Sequence, residues 1–461
     1  MTSPLSIPES PPRRGISRFL GFGWPVYLLV FAFLAASFPV RNLDVWRYLA
    51  SGRDVLSGQF TPWSSTWLFD AAVYATHAAG GEFSVALAKA LAIAVLGGIL
   101  LCTVRRSNGW VIPVVCVGLA ILTLSPRTLL RPPTASYLGL GMALMLLDRT
   151  RSRWLLLGLF LIWANVDSGV LTGIAVVFAA LLGRVMDSPT KAVFRSAVLL
   201  GLGVGLCGML NPAHLDGLSL PMEWKWITDT NTYNELRCPW KESYLRALFD
   251  RPALLAYYPL AVFGLLSFVL NRKRTSWERF MPWALTVALS AITERAVPLF
   301  AVVGGPILAI NLSEFFAAQQ AGIRSRFLRG VIGVLTVLIA TAFLVAIWPG
   351  WLLGAPYEPR RWAFDLSPSP AVAADLLRRD ATDHVFPEDT RTLHISEESF
   401  QTFRWFCPTD PAVYDEVTLG TILNGINVDE RMRRGRYSRV LVFQSERRLS
   451  QLVLTFFLSN R

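Results

Sequence analysis

The sequence predicts an all-α polytopic membrane protein followed by a small C-terminal α/β domain, and three observations carry that expectation. Hydrophobic residues make up 53% of the 461 positions. Charged residues make up only 16%, whereas a soluble domain carries about 25%. The charges are also gathered into short stretches between apolar runs, many of them close to the length needed to cross a bilayer. The net charge of +12 comes from basic residues scattered among those short stretches. Such placement orients spans in a membrane and does not build the continuous basic groove of a nucleic-acid binder.

Residues 1–20 are rich in Pro, Ser and Arg and read as a flexible cytoplasmic tail. The run 21–38 is the first span. Arg13, Arg14 and Arg18 precede it and no clear small-residue cleavage site follows it, so it reads as retained. Its basic flank stays inside, which places the first long polar stretch, within 39–83, outside.

That stretch is expected to form two short helices near the outer surface. Asn42 can cap the first, in which Leu43, Trp46, Leu49 and Ala50 share one face and Asp44, Arg47 and Ser51 another. Gly58 and Pro62 end it. A second helix, starting after Ser64 or Ser65, aligns Asp70, Tyr74 and His77 on one face. Its apolar part, 67–79, is shorter than the ~20 residues of a span, so it lies in the interface or re-enters.

The remaining spans are expected at 84–104, 110–125, 134–147, 154–164, 170–182, 196–210, 252–270, 280–293, 297–312 and 331–348. With the first span they number about eleven. The two short runs flanking NVDSG (165–169) either span as a pair or form one broken element, which gives nine. Basic clusters at Arg105/Arg106, Arg149/Arg151/Arg153, Arg184/Lys191/Arg195, Arg272/Lys273/Arg274/Arg279 and Arg324/Arg326/Arg329 all fall on the inner side of this layout. A second long outer segment runs over 211–251. Residues 351–461 form an outer soluble domain, with helices expected at 371–377 and 445–458 and strands at 392–395, 412–414 and 440–443.

The outer segments hold most of the polar residues that can do chemistry. Transfer from a lipid-phosphate donor needs a carboxylate to take the acceptor proton, cations for the leaving phosphate, and an apolar groove for the lipid. Asp44 supplies the first, with Asp70 and Asp167 as rivals. Arg127, Arg131 and Arg295 supply the second, because a guanidinium matches phosphate oxygens as a fork. The helical bundle supplies the third. Asp70, His77, Asp167 and Glu223 are candidates for orienting substrate, and Trp224 and Trp226 for stacking on a sugar.

Each has a plainer role beside it. Asp44 complements a helix dipole, Arg295 pairs within the Glu294 neighbourhood, and His77 is a hydrogen-bonded histidine. Asp167 caps the helix that follows, and the tryptophans sit at the membrane interface. Cys238 and Cys407, both outer, are a candidate disulfide pair. No CxxC, P-loop, HExxH, GxSxG, dinucleotide or EF-hand pattern occurs. No ligand cluster calls for a metal, although a divalent cation bridging Asp44 and a phosphate is chemically admissible.

LDVWRYLASGRDVLSG (43–58) followed by WLFDAAVYATHAAGG (67–81) resembles the first outer loop of largely uncharacterised bacterial polytopic proteins related to the GT-C glycosyltransferase superfamily. LLRPPTASYLGLGMALMLLDR (129–149), WANVDSGVLTG (163–173), LNPAHL (210–215) and ERAVPLFAVVGGPILA (294–309) extend the resemblance across the membrane region. It implies a GT-C-like fold, an active site at the outer surface, a polyprenyl-linked sugar donor and Asp44 as base. It also implies a bacterial inner membrane location, with the N-terminus cytoplasmic. The chain departs from that pattern at Tyr48 and Asp167, where histidines are expected, and in having one first-loop acid rather than an adjacent pair. Two functions follow as expectations: sugar transfer from a polyprenyl phosphate or diphosphate to an extracytoplasmic acceptor, or a non-catalytic role binding an envelope protein partner. A transporter ranks below both, since only 154–182 offers a broken-helix element.

Overall fold

The structure is a computed structural model. It describes residues 16–40, 42, 44–58, 66–104, 109–147, 153–212, 238–319, 326–353, 391–394, 400, 404–405, 412–414 and 437–441. The chain divides into two compact units. One comprises Met1–Phe38, Lys89–Thr128 and Pro133–Ala363; the other comprises Pro39–Ala88, Leu129–Pro132 and Phe364–Arg461.

The first unit is helical and apolar. Its elements include α1 (Ile16–Ala36), α4 (Val111–Leu124), α5 (Pro132–Leu147), α6 (Arg153–Ala164), α7 (Val170–Asp187) and α8 (Lys191–Gly208). They continue with α9 (Glu242–Asp250), α10 (Tyr257–Leu270), α11 (Trp277–Ile292), α12 (Val297–Gln319) and α13 (Arg326–Ile347). Among the described residues, five helical segments are long and apolar enough to cross a membrane: Trp67–Thr103, Val170–Asp187, Lys191–Gly208, Pro252–Leu270 and Glu294–Ala318. Five shorter apolar helices accompany them. The described part is therefore a multi-span helical protein.

Helix α12 is the centre of this unit. Ala296, Val297, Leu299–Val303 and Ile307–Ala309 are all buried, so the helix is apolar on every side and packs against α4, α10 and α11. Charges collect at the end of the bundle where basic loops were expected. Arg279 grips both oxygens of Glu314, at 2.9 and 2.8 Å, and Arg184 pairs with Glu278. The carboxylate of Asp187, at the end of α7, accepts from the backbone N–H groups of Trp277 (2.9 Å) and Glu278 (3.0 Å). One helix thus satisfies the orphan donors at the start of another.

A lysine is also buried inside this unit. Lys89 is buried, its ammonium donates to the Phe38 carbonyl at 2.7 Å, and it sits 3.6 Å from the centroid of the Phe38 ring. Phe38 follows the C-terminal end of α1, where the helix dipole favours a positive charge. The bond ties together the two points at which the chain leaves for, and returns from, the polar stretch between them.

Several element boundaries differ from those expected. The expected segments 67–79 and 84–104 are two helices that meet directly at a kink, without a loop between them, and together make α3 (Trp67–Thr103), with Gly80 and Gly81 outside helical geometry. Gly81 has φ +66° and ψ −156°, which a Cβ disfavours strongly. The Ser84 hydroxyl takes up carbonyls released by the break, donating to Gly81 O at 2.7 Å and to Thr76 O. Helix α8 starts earlier than expected because Thr190 caps it, its hydroxyl accepting from the Val193 N–H at 3.2 Å. Helix α9 was not expected at all.

In the second unit, α2 (Asp44–Leu56) lies directly against the start of α3. A Cβ on Gly52 would fall 2.1 Å from the Asp70 carbonyl oxygen, so only glycine admits this approach. Tyr48 and Phe69 meet edge to face, 5.1 Å between centroids. Three short strands, β1 (Arg391–His394), β2 (Ala412–Tyr414) and β3 (Tyr437–Leu441), form a parallel sheet in the order β2–β1–β3. The helices expected at 371–377 and 445–458 lie outside the described residues.

Candidate functional site

Asp44 opens α2, where the dipole of the first turn favours an anion. Its carboxylate forms an ion pair with Arg131, Oδ2 to Nε 2.9 Å. The two side chains are 35% and 47% exposed, so the pair is open to a ligand. The backbone that presents it is held in register. Two residues before Asp44, the Asn42 amide donates to the carbonyl of Leu130, the residue before Arg131, at 2.8 Å. The side chain of Asn42 does this in place of the helix capping expected of it. Its Oδ1 is buried and accepts no hydrogen bond among the described residues.

Two further groups complete this face of α2. The Arg47 guanidinium lies 5.1 Å from the centroid of the Tyr48 ring. Burial works against its charge, but Tyr48, Asp70 and Asp44 outweigh burial and hold its pKa above the ordinary value. Burial and then the neighbouring Asp44 push the Tyr48 phenol up to about 12, against the pull of Arg47 and Arg131. Tyr48 therefore stays protonated at neutral pH and cannot act as the base that a histidine here would offer. Asp70 is buried beside this cluster, with its backbone under Gly52.

His77 and Tyr74 are brought to a different place, one that the sequence did not signal. Both rings meet Trp405 edge to face, at 5.3 and 6.1 Å. Arg53 donates to the carbonyls of Arg404 (2.9 Å) and Trp405 (3.3 Å), and Arg404 pairs with Asp54. This exchange of guanidinium and carboxylate docks a short piece of the C-terminal chain onto the polar face of α2. It gives His77 a packing role.

Of the other expected residues, Arg127, Arg295, Asp167 and Cys238 lie in the first unit. Glu294 pairs with Arg127 rather than with the adjacent Arg295, because the 3-10 turn Glu294–Ala296 aims neighbouring side chains apart. Arg295 makes no ion pair among the described residues, and its N–H donates to Thr293 Oγ1 at 3.3 Å. Cys238 is a free thiol 2.8 Å from the Ala291 carbonyl oxygen. Cys407 and Glu223, with Trp224 and Trp226, lie outside the described residues. Lys89 was missed, although a single lysine inside a long apolar run is itself a signal.

Asp167 sits in the turn between α6 and α7 and is buried. Its Oδ2 accepts from the Ser136 hydroxyl and from the Gly169 N–H at 3.1 Å, while Ser136 Oγ accepts from Trp163 Nε1 at 2.7 Å. The group is a local cap and a tie to α5. Burial pushes its pKa up to about 6 despite the hydrogen bonds from Ser136, Gly169 and Ser168 that favour the anion. Between pH 4 and 6 the native state then keeps a proton that the unfolded chain releases, so stability falls as pH rises through that window. Asp167→Asn keeps the acceptor and removes the titration. The variant is expected to melt above wild type at pH 8, with the difference shrinking as pH falls from 6 to 4. A parallel decline of both proteins with pH contradicts this.

Among the described residues no group of three His, Cys, Asp or Glu side chains is placed to hold a metal ion. Compared with known proteins, the chain matches no protein-family model and no curated protein.

Proposed function

We propose that this protein transfers a sugar from a polyprenyl phosphate or diphosphate donor to an extracytoplasmic acceptor, with Asp44 as general base. The single observation that carries the reading is the Asp44–Arg131 pair, half-exposed and fixed in register by the Asn42–Leu130 hydrogen bond. A carboxylate beside a guanidinium suits the two charges of the reaction. The acceptor hydroxyl gives its proton to Asp44 as its oxygen bonds the anomeric carbon. The bond from that carbon to the phosphate oxygen breaks, and the phosphate leaves with the electron pair. Arg131 engages Asp44 through Nε, and in this reading the fork of its terminal nitrogens takes the phosphate oxygens. Arg127 serves the fold of its own unit through Glu294. In the same reading the site faces the cell exterior of a bacterial inner membrane.

The rival reading is a non-catalytic assembly protein that binds an envelope partner. Tyr48, neutral where the resembling proteins have a histidine, is the observation that favours it.

Lipid analysis separates the two. Full-length protein is extracted directly into native nanodiscs, and the bound lipids are weighed against bulk membrane by mass spectrometry. Polyprenyl phosphates enriched in the wild type and depleted in Arg131→Gln are the expected result. No enrichment, together with a protein partner that co-purifies in fixed ratio, overturns the transfer reading in favour of assembly.

A further inference from the structure

Helix α9 divides into three sectors along its nine residues. Tyr244 and Leu248, one turn apart, face the protein, and Tyr244 is only 1% exposed. Glu242 and Arg246, also one turn apart, form an ion pair at 2.6 Å with both side chains 77% exposed. Leu245 and Phe249 form the third sector, an apolar edge directly beside that ion pair, and are uncovered, Phe249 at 85% exposure. A helix on a water-facing surface has no use for this third sector. A helix lying in a membrane interface needs one face for protein, one for water and one for lipid.

The chain fixes where that third sector lies. Helix α9 ends at Asp250, and the apolar segment Pro252–Leu270 begins two residues later. Two residues reach at most about 7 Å. The end of α9 is therefore held within that distance of the start of a segment apolar enough to cross the bilayer. The entry to that segment is itself anchored, by the Ala253 N–H donating to the Leu352 carbonyl at 2.9 Å. Uncovered apolar residues recur on both sides of this junction, at Trp240, Leu245 and Phe249 before it and at Leu255, Val262, Phe263 and Leu266 after it. The exposed side of α10 has lipid as its natural neighbour, and α9 ends two residues before the segment that carries it.

We propose that α9 is a membrane-surface helix, with Leu245 and Phe249 seated in the acyl–headgroup boundary of the phospholipid leaflet at this end of the spans. Glu242 and Arg246 point to water and headgroups. The opposite face buries Tyr244 against the protein. The partner is the phospholipid surface itself, and the inference does not depend on the transfer reading.

Single cysteines at Phe249, Leu245 and Arg246, in the full chain with its native cysteines replaced, can each carry an NBD fluorophore. The proteins are placed in nanodiscs of phosphatidylcholine and phosphatidylglycerol. Probes at 249 and 245 are expected to be blue-shifted, quenched by doxyl-labelled lipid and protected from iodide, with a depth of about 5–10 Å. The probe at 246 is expected to show the reverse. Equal iodide quenching at 246 and 249, without doxyl quenching at 249, overturns the proposal. So does a disulfide between two copies at position 249 in nanodiscs, which assigns the face to a second chain. Native fold of each labelled protein is checked by its melting temperature, and Leu245 provides the reading if the change at Phe249 disturbs folding.

Discussion

Gly52→Ala is expected to break the packing of α2 against α3, at a cost of about 3 kcal/mol or more. The added Cβ would lie 2.1 Å from the Asp70 carbonyl oxygen, 2.6 Å from its carbon and 2.7 Å from the Tyr74 Cβ. Two of these atoms are backbone and the third is fixed to it, so no rotamer change relieves the overlap. Helix α2 has to move as a body, and it carries Asp44, Arg47 and Tyr48. The variant is expected to lose protection from protease within α2, with the remaining spans intact. Gly23→Ala is the control, since a Cβ there meets nothing within 4 Å; its effect should stay within about 0.5 kcal/mol. Wild-type proteolysis and melting in Gly52→Ala are incompatible with the close approach of these helices.

The same two helices show what the sequence makes legible and what it does not. Their existence follows from periodicity: Trp46, Leu49 and Ala50 recur on one face, and all three are buried. The division between 79 and 84 is legible because two adjacent glycines mark it, and the two helices meet there at a kink. The apolar runs locate most helices of the first unit, since a bilayer-length run has few alternatives. Helix α9 escapes this logic. It is short, and its three sectors resemble neither a span nor a simple amphipathic stripe.

Pairings are less legible than elements, because neighbours in sequence are not neighbours in space. Glu294 lies beside Arg295 in the chain, yet its partner is Arg127, 167 positions away. The Asn42–Leu130 bond that aligns the candidate site joins residues 88 apart. Asp44 was identifiable as a carboxylate at a helix start. That Arg131, and not another of the candidate arginines, faces it required the fold. Asp167 looked equally promising from its turn, and burial with two donors on its Oδ2 turns it into a structural cap.

Asp44→Asn is expected to reduce sugar transfer by about 10²–10⁴-fold with little change in stability. The amide keeps the shape of the carboxylate and its place at the head of α2, and loses only the capacity to take a proton. The lost ion pair is half-exposed, so its contribution to folding is small, about 0–1 kcal/mol. Arg131 is left without its anion and remains free to bind phosphate, so donor lipid is expected to stay bound in the variant. Arg131→Gln should show the opposite split: weak retention of donor lipid, with a base still present. Transfer measured in proteoliposomes from a radiolabelled polyprenyl-phosphate sugar, alongside melting temperature and bound lipid, reads all three quantities. If Asp44→Asn transfers sugar at the wild-type rate, another group takes the proton and the ion pair is structural. If it neither transfers nor binds donor while melting normally, Asp44 acts in recognition. Only loss of transfer with donor binding and fold preserved fits a base at this position.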